Sequence, residues 1–191
     1  IGALDSATSG TYELYNKDIT TMSADDLATV RNEYIGFVFQ NFNLLSKRTI
    51  IDNVMLPLMY RGWVMNDRIR RAREMLRLVG LENFEDYYLT QLSGGMKQRV
   101  AIARALAGNP KLILADEPTG SLDSKMGNEI LRFFEKLNKD LDITIIMITH
   151  EFEIAQYARR IIHIFDGRVT YDGPIPKSET TLLNSEKRHK K

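Results

Sequence analysis

Two short segments restrict what this chain can fold into more than any other part of it. In residues 92–99, Ser93 precedes two adjacent glycines at a point where a loop turns into a helix. In residues 112–118, a short apolar run ends on two adjacent carboxylates, Asp116 and Glu117. Free amides at a helix N-terminus favour an anion, and a carboxylate at a strand end can hold magnesium or water. The two segments together predict a phosphate-handling site.

The order of the predicted elements indicates an α/β fold. Apolar or alternating runs predict strands at 11–15, 34–39, 112–115, 143–149, 161–165 and 168–171. Caps and helical periodicity predict helices at 23–32, 66–80, 93–107, 124–138 and 151–158. Strands that alternate with helices form a parallel sheet. Residues 41–91 show no clear strand and predict an inserted helical subdomain, in which Pro57 should break or shorten a helix.

Composition sets broad limits on function. A net charge of +1 gives no reason to expect binding to nucleic acid or membrane by bulk electrostatics. The absence of cysteine excludes disulfides, cysteine-ligated zinc and thiol chemistry. No apolar run reaches the ~18–20 residues needed to span a bilayer. The arginine-rich run at 68–73 indicates a solvated helix face, and the basic segment 187–191 indicates an inert tail.

Polar side chains follow three of the predicted parallel strands. They are Gln40, the Asp116-Glu117 pair and His150. Because ligands bind at the carboxyl ends of strands in open α/β sheets, we expect these side chains along one edge. Asp116 could hold Mg²⁺, and Glu117 could orient or deprotonate an attacking water. A simpler explanation is that the two carboxylates cap the turn at residues 118–120.

The Ser93 segment also has two explanations. Its free amides and the helix dipole favour an anion, and glycine lets a phosphate approach the backbone. Ser93 is equally suited to be an ordinary N-cap with a flexible entry to the helix. These residues alone leave both explanations open.

Taken together, the motifs resemble those of ATP-binding cassette (ABC) ATPases. Residues 92–95 with 98–106 resemble the signature motif, with Met96 and Lys97 where the branch often has two glutamines. Residues 112–117 resemble the Walker B strand, 121–123 the D-loop, His150 the switch histidine and Gln40 the Q-loop glutamine. The likeness covers roughly residues 1–172. The stretches 35–45 and 56–58 resemble the branch that includes lipoprotein-release, macrolide-export and cell-division cassettes.

The resemblance implies a P-loop NTPase (RecA-like) parallel sheet with an inserted helical subdomain. It assigns residues 1–40 to the first part of the ATPase core and 41–95 to the helical subdomain. It assigns residues 96–175 to the second part of the core and 176–191 to a flexible basic tail.

Site roles carry over position by position from the family, in which two cassettes pair head to tail around ATP and Mg²⁺. The resemblance implies catalytic roles for Glu117, His150 and Gln40, and magnesium contacts for Asp116 and Gln40. The implied nucleotide-binding residues are Ser93, Gly94, Gly95, Gln98, Ser121 and Asp123. Of these, the signature residues 93–95 would act on the nucleotide of the partner, and Asp123 would bridge the subunits.

One motif of the family does not occur in the sequence. The P-loop pattern G-x-x-x-x-G-K-[ST] is absent from the 191 residues. In the family this loop lies just before a helix that ends in residues like 1–5 here. We therefore expect the chain to begin inside that helix, without the N-terminal strand, and to bind ATP very weakly and not hydrolyse it measurably by itself.

The predicted function is that of an ATPase subunit that drives export or lipoprotein extraction through a separate membrane permease. It would pair with a second cassette as a homodimer at the cytoplasmic face of the membrane. The alternative is a cassette that gates a cell-division or cell-wall machine without transport. A DNA-repair cassette, and with it a nucleic-acid partner, is disfavoured because the segment between Gln40 and Leu92 is too short for a long coiled coil.

A groove after Gln40 is the predicted contact with the permease. The candidate residues are Phe42, Leu44, Leu45, Met55, Leu58, Met59 and Tyr60. Most of them are expected in the core of the helical subdomain, whereas Tyr60, Arg61 and Trp63 are expected to be exposed.

Overall fold

A computed structural model describes residues 1–178, 180 and 182. The helices are α1 Ala24–Tyr34, α2 Ile50–Tyr60, α3 Met65–Leu78, α4 Gly94–Ala107, α5 Ser124–Leu141 and α6 Phe152–Ala155, with a 3₁₀ turn at Leu89–Gln91. The strands are β1 Glu13–Leu14, β2 Lys17–Asp18, β3 Ile35–Phe39, β4 Leu112–Asp116, β5 Thr144–Ile148, β6 Ile161–Phe165 and β7 Arg168–Gly173. The basic segment predicted at 187–191 lies outside the described residues.

The described residues fall into two compact units. The first is Ile1–Ile148, and the second consists of the described residues from Thr149 onward. The second unit contains α6 and the antiparallel hairpin β6–β7. This hairpin turns at Asp166 and Gly167, both with positive φ, which is the turn chemistry that favours a two-residue hairpin loop.

The first unit is built on a parallel sheet with the strand order β3-β4-β5. The predicted α/β fold with a parallel sheet is thus confirmed. Strand β4 lies in the middle and is buried on both faces up to its last residue, Asp116. Strand β5 pairs only with β4 among the described residues, and Ile148 at its end is half exposed.

Helix α4 packs on β3 and α5 packs on β5, whereas α2 and α3 pack on α4. Ile113 and Ala115 of β4 share a continuous apolar core with α2, α3, α4 and α5. Leu112 and Leu114, which point the other way in the alternation of a strand, form a smaller cluster with Ile35. Burial of this kind contributes about 25 cal/mol per Å² of apolar surface, and the larger cluster contains more of the buried apolar residues than the smaller one.

Helix α2 differs from its predicted form. It runs without interruption for 11 residues with Pro57 inside it, so the expectation of a broken helix is wrong. An interior proline costs about 3 kcal/mol. The fully buried Ile50, Val54 and Leu58 offset that cost, since each contributes about 1.5–3 kcal/mol when buried.

Helix α3 carries the predicted apolar stripe but begins earlier than predicted. Ala72, Met75 and Leu76 are buried as expected. The N-cap is Val64, which makes no side-chain cap bond, rather than Asn66. The chain turns tightly from α2 into α3, and Gly62 supplies the positive φ of that turn.

Arginines of the helical region reach the end of α4, which corrects two expectations. Arg61 was expected to be exposed, but it is partly buried and donates to the carbonyls of Asn32 and Gly108. Arg71 belongs to the run expected on a solvated face, but its Nε donates to the Ala107 carbonyl at 3.1 Å. Both guanidinium groups thereby satisfy carbonyls at or beside the C-terminus of a helix, where cations are favoured.

Fewer of the apolar residues proposed for a permease groove lie in the core than expected, whereas Tyr60 and Trp63 are exposed as expected. Met55 and Leu58 are buried in the core, whereas Leu45, Met59, Tyr60 and Trp63 are exposed. Within the described residues, no helix combines the length and the apolar character that crossing a membrane requires.

Candidate functional site

The candidate site lies at the carboxyl ends of the parallel strands. Phe39, Asp116 and Ile148 are paired across the three strands in register, so all three strands end at the same level. Gln40 and Glu117 follow directly and are partly buried, whereas the Asp116 side chain is exposed. The amide and the two carboxylates predicted to share one edge of the sheet therefore do so, and we call this set the catalytic edge.

Glu117 is positioned by its backbone. Its N–H donates to the carbonyl of Ile148 at 3.0 Å, and its own carbonyl accepts from the N–H of Gly120 at 3.1 Å. Its φ is +42°, in the left-handed region, where a residue other than glycine carries a strain of order 1–3 kcal/mol. The N–H of Leu122 also donates to the Thr119 carbonyl at 2.9 Å. Backbone groups thus close this turn.

Gly120 is the point on which two side chains of the catalytic edge converge. A Cβ at this position would lie 2.6 Å from Nε2 of Gln40 and 3.3 Å from Oε2 of Glu117. The next residue, Ser121, donates its hydroxyl to the Gln40 carbonyl at 3.0 Å. The turn after β4 therefore holds the Gln40 amide and the Glu117 carboxylate close to each other, with no side chain between them at position 120.

The signature segment, residues 92–95 at the start of α4, has one accessible and one packed glycine. Ser93 is exposed and caps the helix, its Oγ accepting from the Met96 N–H at 3.3 Å. Gly94 is partly exposed, whereas Gly95 is buried against Met126, with too little space there for a Cβ. The N-cap role of Ser93 is confirmed, and the open side of Ser93 and Gly94 leaves room for a ligand.

The D-loop residues lie beside this segment. A Cβ on Gly94 would be 3.5 Å from Leu122 and 3.9 Å from the Ser121 carbonyl, which are ordinary contacts. Asp123 is exposed and accepts from the Met126 N–H at 3.0 Å, so one oxygen of its carboxylate caps α5. The start of α4 and the turn that follows the catalytic edge are therefore neighbours within one chain.

Gln98 has a different environment from the other predicted nucleotide contacts. Its side chain is fully buried, and Nε2 donates to the Pro118 carbonyl at 2.6 Å. Its Oε1 has no hydrogen-bond partner in the described part of the chain. The amide therefore ties α4 to the turn after Glu117 rather than facing solvent.

His150 belongs to the second compact unit, where its side chain is exposed. It is the one predicted catalytic residue that the first unit does not contain. Its role stays a prediction from the sequence.

The catalytic edge offers the ligand set that magnesium uses with a phosphate substrate. Within the described residues, no group of three or more His, Cys, Asp or Glu side chains could hold a metal ion by itself. Magnesium keeps several waters and is typically bound through one or two carboxylates plus phosphate oxygens. The exposed carboxylate of Asp116 at the end of β4, and the amide of Gln40 directly after β3, are groups that fit that mode of binding.

Two residues next to this site were missed in the sequence. The sequence pattern around Gly120 indicates only a turn. The absence of a side chain at this position is the feature that could have indicated the close approach of Gln40 and Glu117. Arg104 of α4 donates to the carbonyls of Phe42 and Asn43, just after Gln40. No spacing rule links residues 61 and 62 positions apart, so Arg104 could not have been found from its local pattern.

Comparisons with known proteins agree with this geometry. Residues 1–120 match the family described as ABC transporter. A macrolide export ATP-binding/permease protein, MacB, of Syntrophobacter fumaroxidans is 49% identical over 169 residues, which are 87% of this chain and 24% of that protein. MacB of Escherichia coli strain K12 is 46% identical over 174 residues, 91% of this chain and 27% of that protein. This chain therefore spans about a quarter of the length of these relatives.

Solved structures show the same fold. The ATP-binding cassette MJ0796, in a dimeric post-hydrolysis state with ADP and Pi, is 41% identical, with a TM-score of 0.81 over 93% of this chain and 78% of that one. CbiO1 of Clostridium perfringens, part of an ABC transporter complex, is 29% identical, with a TM-score of 0.82 over 98% of this chain and 74% of that one. The chain belongs to the ABC transporter family, with the fold of its ATP-binding cassettes.

Proposed function

We propose that this chain forms part of the ATP-hydrolysing cassette of a membrane export system. The observation that carries the proposal is the convergence of the Gln40 amide and the Glu117 carboxylate on Gly120. An amide and a carboxylate held together at a strand end, next to an exposed Asp116, are groups suited to orient a water molecule toward a phosphate. The family to which the chain belongs gives the substrate, ATP.

In this proposal the residues of the catalytic edge have separate roles. Glu117 accepts a hydrogen bond or a proton from the attacking water. The hydrogen bond from its backbone N–H to the Ile148 carbonyl fixes the position of the backbone from which the carboxylate extends. Gln40, whose amide also lies close to Gly120, orients the same water. Asp116, with Gln40, would hold Mg²⁺, which supplies charge neutralisation for the β- and γ-phosphates when bound. His150 would contact the γ-phosphate.

The signature segment acts on a second nucleotide in this proposal. Ser93 and Gly94 present a helix N-terminus, which favours a phosphate by its free amides and its dipole. Two copies of the cassette would pair head to tail, so that these residues meet the ATP bound by the partner, with Ser121 and Asp123 nearby. The dimeric structure of MJ0796 supports this form of assembly. We assign Gln98 a positioning role, since its buried amide holds the turn after Glu117.

The hydrolysis would be coupled to a membrane permease. The relatives named above are macrolide export ATP-binding/permease proteins. They support a role in export. The cassette would then act at the cytoplasmic face of the membrane as a peripheral part of the complex. The exposed apolar residues at the α2–α3 turn, Met59, Tyr60 and Trp63, are available for contact with the permease.

The experiment is Glu117→Gln in the full-length gene product. Removing the carboxylate while keeping its shape should lower ATP turnover by about 10²-fold or more, because the water loses its acceptor. ATP should still bind, and ATP-dependent dimers should accumulate in size-exclusion chromatography because release depends on hydrolysis. Glu153→Gln, a change of the same kind in the second unit, is the control and should keep wild-type turnover. Normal turnover by Glu117→Gln would contradict the proposed role.

A further inference from the structure

Arg104 binds the loop after Gln40 from the last turn of the signature helix. It lies on α4, 11 residues after Ser93. Its Nη1 donates to the Asn43 carbonyl at 2.5 Å, and its Nη2 donates to the Phe42 carbonyl at 3.0 Å. Burial lowers the pKa of Arg104, but guanidinium remains charged in proteins. One planar guanidinium group thus donates hydrogen bonds to the carbonyls of two successive residues.

The loop at residues 40–45, which we call the Gln40 loop, needs such support. Phe42 and Asn43 have φ values of +60° and +47°, so two neighbouring residues other than glycine adopt the left-handed conformation. This conformation costs roughly 1–2 kcal/mol per residue, and it persists where surrounding contacts impose it. The Arg104 guanidinium supplies two charge-assisted hydrogen bonds to this strained segment, the stronger kind of hydrogen bond.

The two ends of the Gln40 loop are held by other residues. At the start, the hydroxyl of Ser121 donates to the Gln40 carbonyl at 3.0 Å. At the far end, the fully buried Asn53 of α2 binds both backbone groups of Leu45. Arg104 is therefore the contact through which α4 reaches the middle of the loop.

Helix α4 has a second tie to the same edge of the sheet. Gln98 donates to the Pro118 carbonyl, one residue after Glu117. Through Gln98 and Arg104 the helix thus holds both segments that carry the convergent side chains of the catalytic edge. A displacement of α4 along its axis or around it has to move Phe42 and Asn43, because a bidentate guanidinium fixes distance and orientation together.

We propose that Arg104 is a positioning residue that couples the signature helix to the Gln40 loop. Engagement of Ser93 and Gly94 with a nucleotide at one end of α4 would thereby set the position of Gln40 at the catalytic edge of the same subunit. The inference rests on the proposed ATPase function, since it links the two nucleotide sites that this function assigns to one chain.

Arg99 provides a matched control on the same helix. Its Nη1 donates to the Val79 carbonyl at 3.1 Å, and its Nη2 pairs with Glu129 at 3.1 Å. It is a partly buried arginine with a backbone carbonyl as acceptor, like Arg104. Its contacts lead to the end of α3 and to α5 rather than to the catalytic edge. Loss of either arginine removes comparable structural bonds, but only Arg104 touches the Gln40 loop.

The test compares Arg104→Ala, Arg104→Lys and Arg99→Ala in the full-length protein. We expect Arg104→Ala to lower kcat by about ten- to a hundredfold through misplacement of Gln40, and to lower the Hill coefficient for ATP toward one. Arg99→Ala should keep both values within about twofold of wild type at a similar loss of melting temperature. Arg104→Lys should recover the melting temperature but not kcat, because a single ammonium does not span both carbonyls.

Hydrogen exchange gives a readout that does not depend on turnover. In the wild type and in Arg99→Ala, ATP-driven dimerisation should slow amide exchange in the Gln40 loop, whereas in Arg104→Lys and Arg104→Ala it should not. Equal kcat, Hill coefficient and loop protection in the Arg104 and Arg99 variants would overturn the coupling role. If Arg104→Ala does not fold, Arg104→Lys alone decides the comparison. Absence of ATP turnover in the wild type would instead contradict the proposed function.

Discussion

Gln98 is the residue at which the signature helix contacts the turn after Glu117. It is fully buried, and its Nε2 donates to the Pro118 carbonyl at 2.6 Å. A donor is therefore needed at that position. A glutamate side chain has nearly the same shape, but its carboxylate cannot donate a hydrogen bond at neutral pH unless it takes up a proton.

Gln98→Glu should accordingly reduce stability. We expect the free energy of unfolding at pH 7 to fall by about 3 kcal/mol, the typical effect of an uncompensated buried charge. The measurement is urea denaturation followed by circular dichroism. Gln91→Glu is the matched control, because Gln91 is exposed and its Oε1 accepts from the Tyr88 N–H, a role that a carboxylate also fills. Equal stability of the two variants would contradict the assigned contact.

At the residue scale, local signals predicted part of the site. The N-cap Ser93 and the strand-end residues Gln40, Asp116 and Glu117 follow from patterns within a few positions, and the structure places them as expected. The contacts of Gln98 and Arg104 are with carbonyls 20 and about 61 positions away. Such contacts depend on how helices pack on the sheet, which no local pattern of one sequence encodes.

At the scale of elements, the packing of α4 on β3 leaves no room for a side chain at Gly36. A Cβ on Gly36 would lie 2.7 Å from the carbonyl oxygen of Ala105 and 3.1 Å from its Cβ. The obstacle is backbone, which cannot rotate away as a side-chain end can. The absence of a side chain at Gly36 therefore sets the distance of the signature helix from the strand that carries Gln40.

Gly36→Ala should force α4 away from β3. We expect a loss of about 1–3 kcal/mol in the free energy of unfolding, the usual cost of an overpacked core. Gly127→Ala is the control: it lies inside α5, and its Cβ would be 3.5 Å from Thr119, an ordinary contact. The control should gain about 0.4–1 kcal/mol, since alanine restricts the unfolded chain. Chemical denaturation measures both, and a neutral Gly36→Ala would contradict this packing.

The elements themselves were predicted with uneven success for physical reasons. Strand β4 and helices α1, α4 and α5 carry strong caps or unbroken apolar patterns, and they form near the predicted positions. Helix α2 was mispredicted because proline is a local signal, whereas burial of Ile50, Val54 and Leu58 is a tertiary effect. Where tertiary burial outweighs local propensity, a pattern in the sequence gives the wrong result.

At the scale of the whole molecule, the first unit carries the two surfaces to which the proposed function assigns a nucleotide. One is the catalytic edge, and the other is the exposed start of α4 at Ser93 and Gly94. They are linked through the D-loop turn, through Gln98 and through Arg104. The motif order in the sequence was sufficient to predict the family. It did not reveal the side-chain contacts that connect the two surfaces.

The central claim is that these two surfaces serve two different nucleotides. It is tested by ATP turnover of mixed dimers of the full-length protein, with Ser93→Arg on one subunit and Glu117→Gln on the other. If the signature segment acts on the partner's nucleotide, such a dimer holds one complete site. A dimer of wild type with the Ser93→Arg/Glu117→Gln double variant then holds none.

For an equimolar mixture of the two single variants, each inactive by itself, turnover should reach about a quarter of the wild-type value, since half of the dimers would be mixed. Purified dimers of wild type with the double variant should be inactive. Inactive mixed dimers of the single variants, together with active dimers of wild type and double variant, would contradict the account.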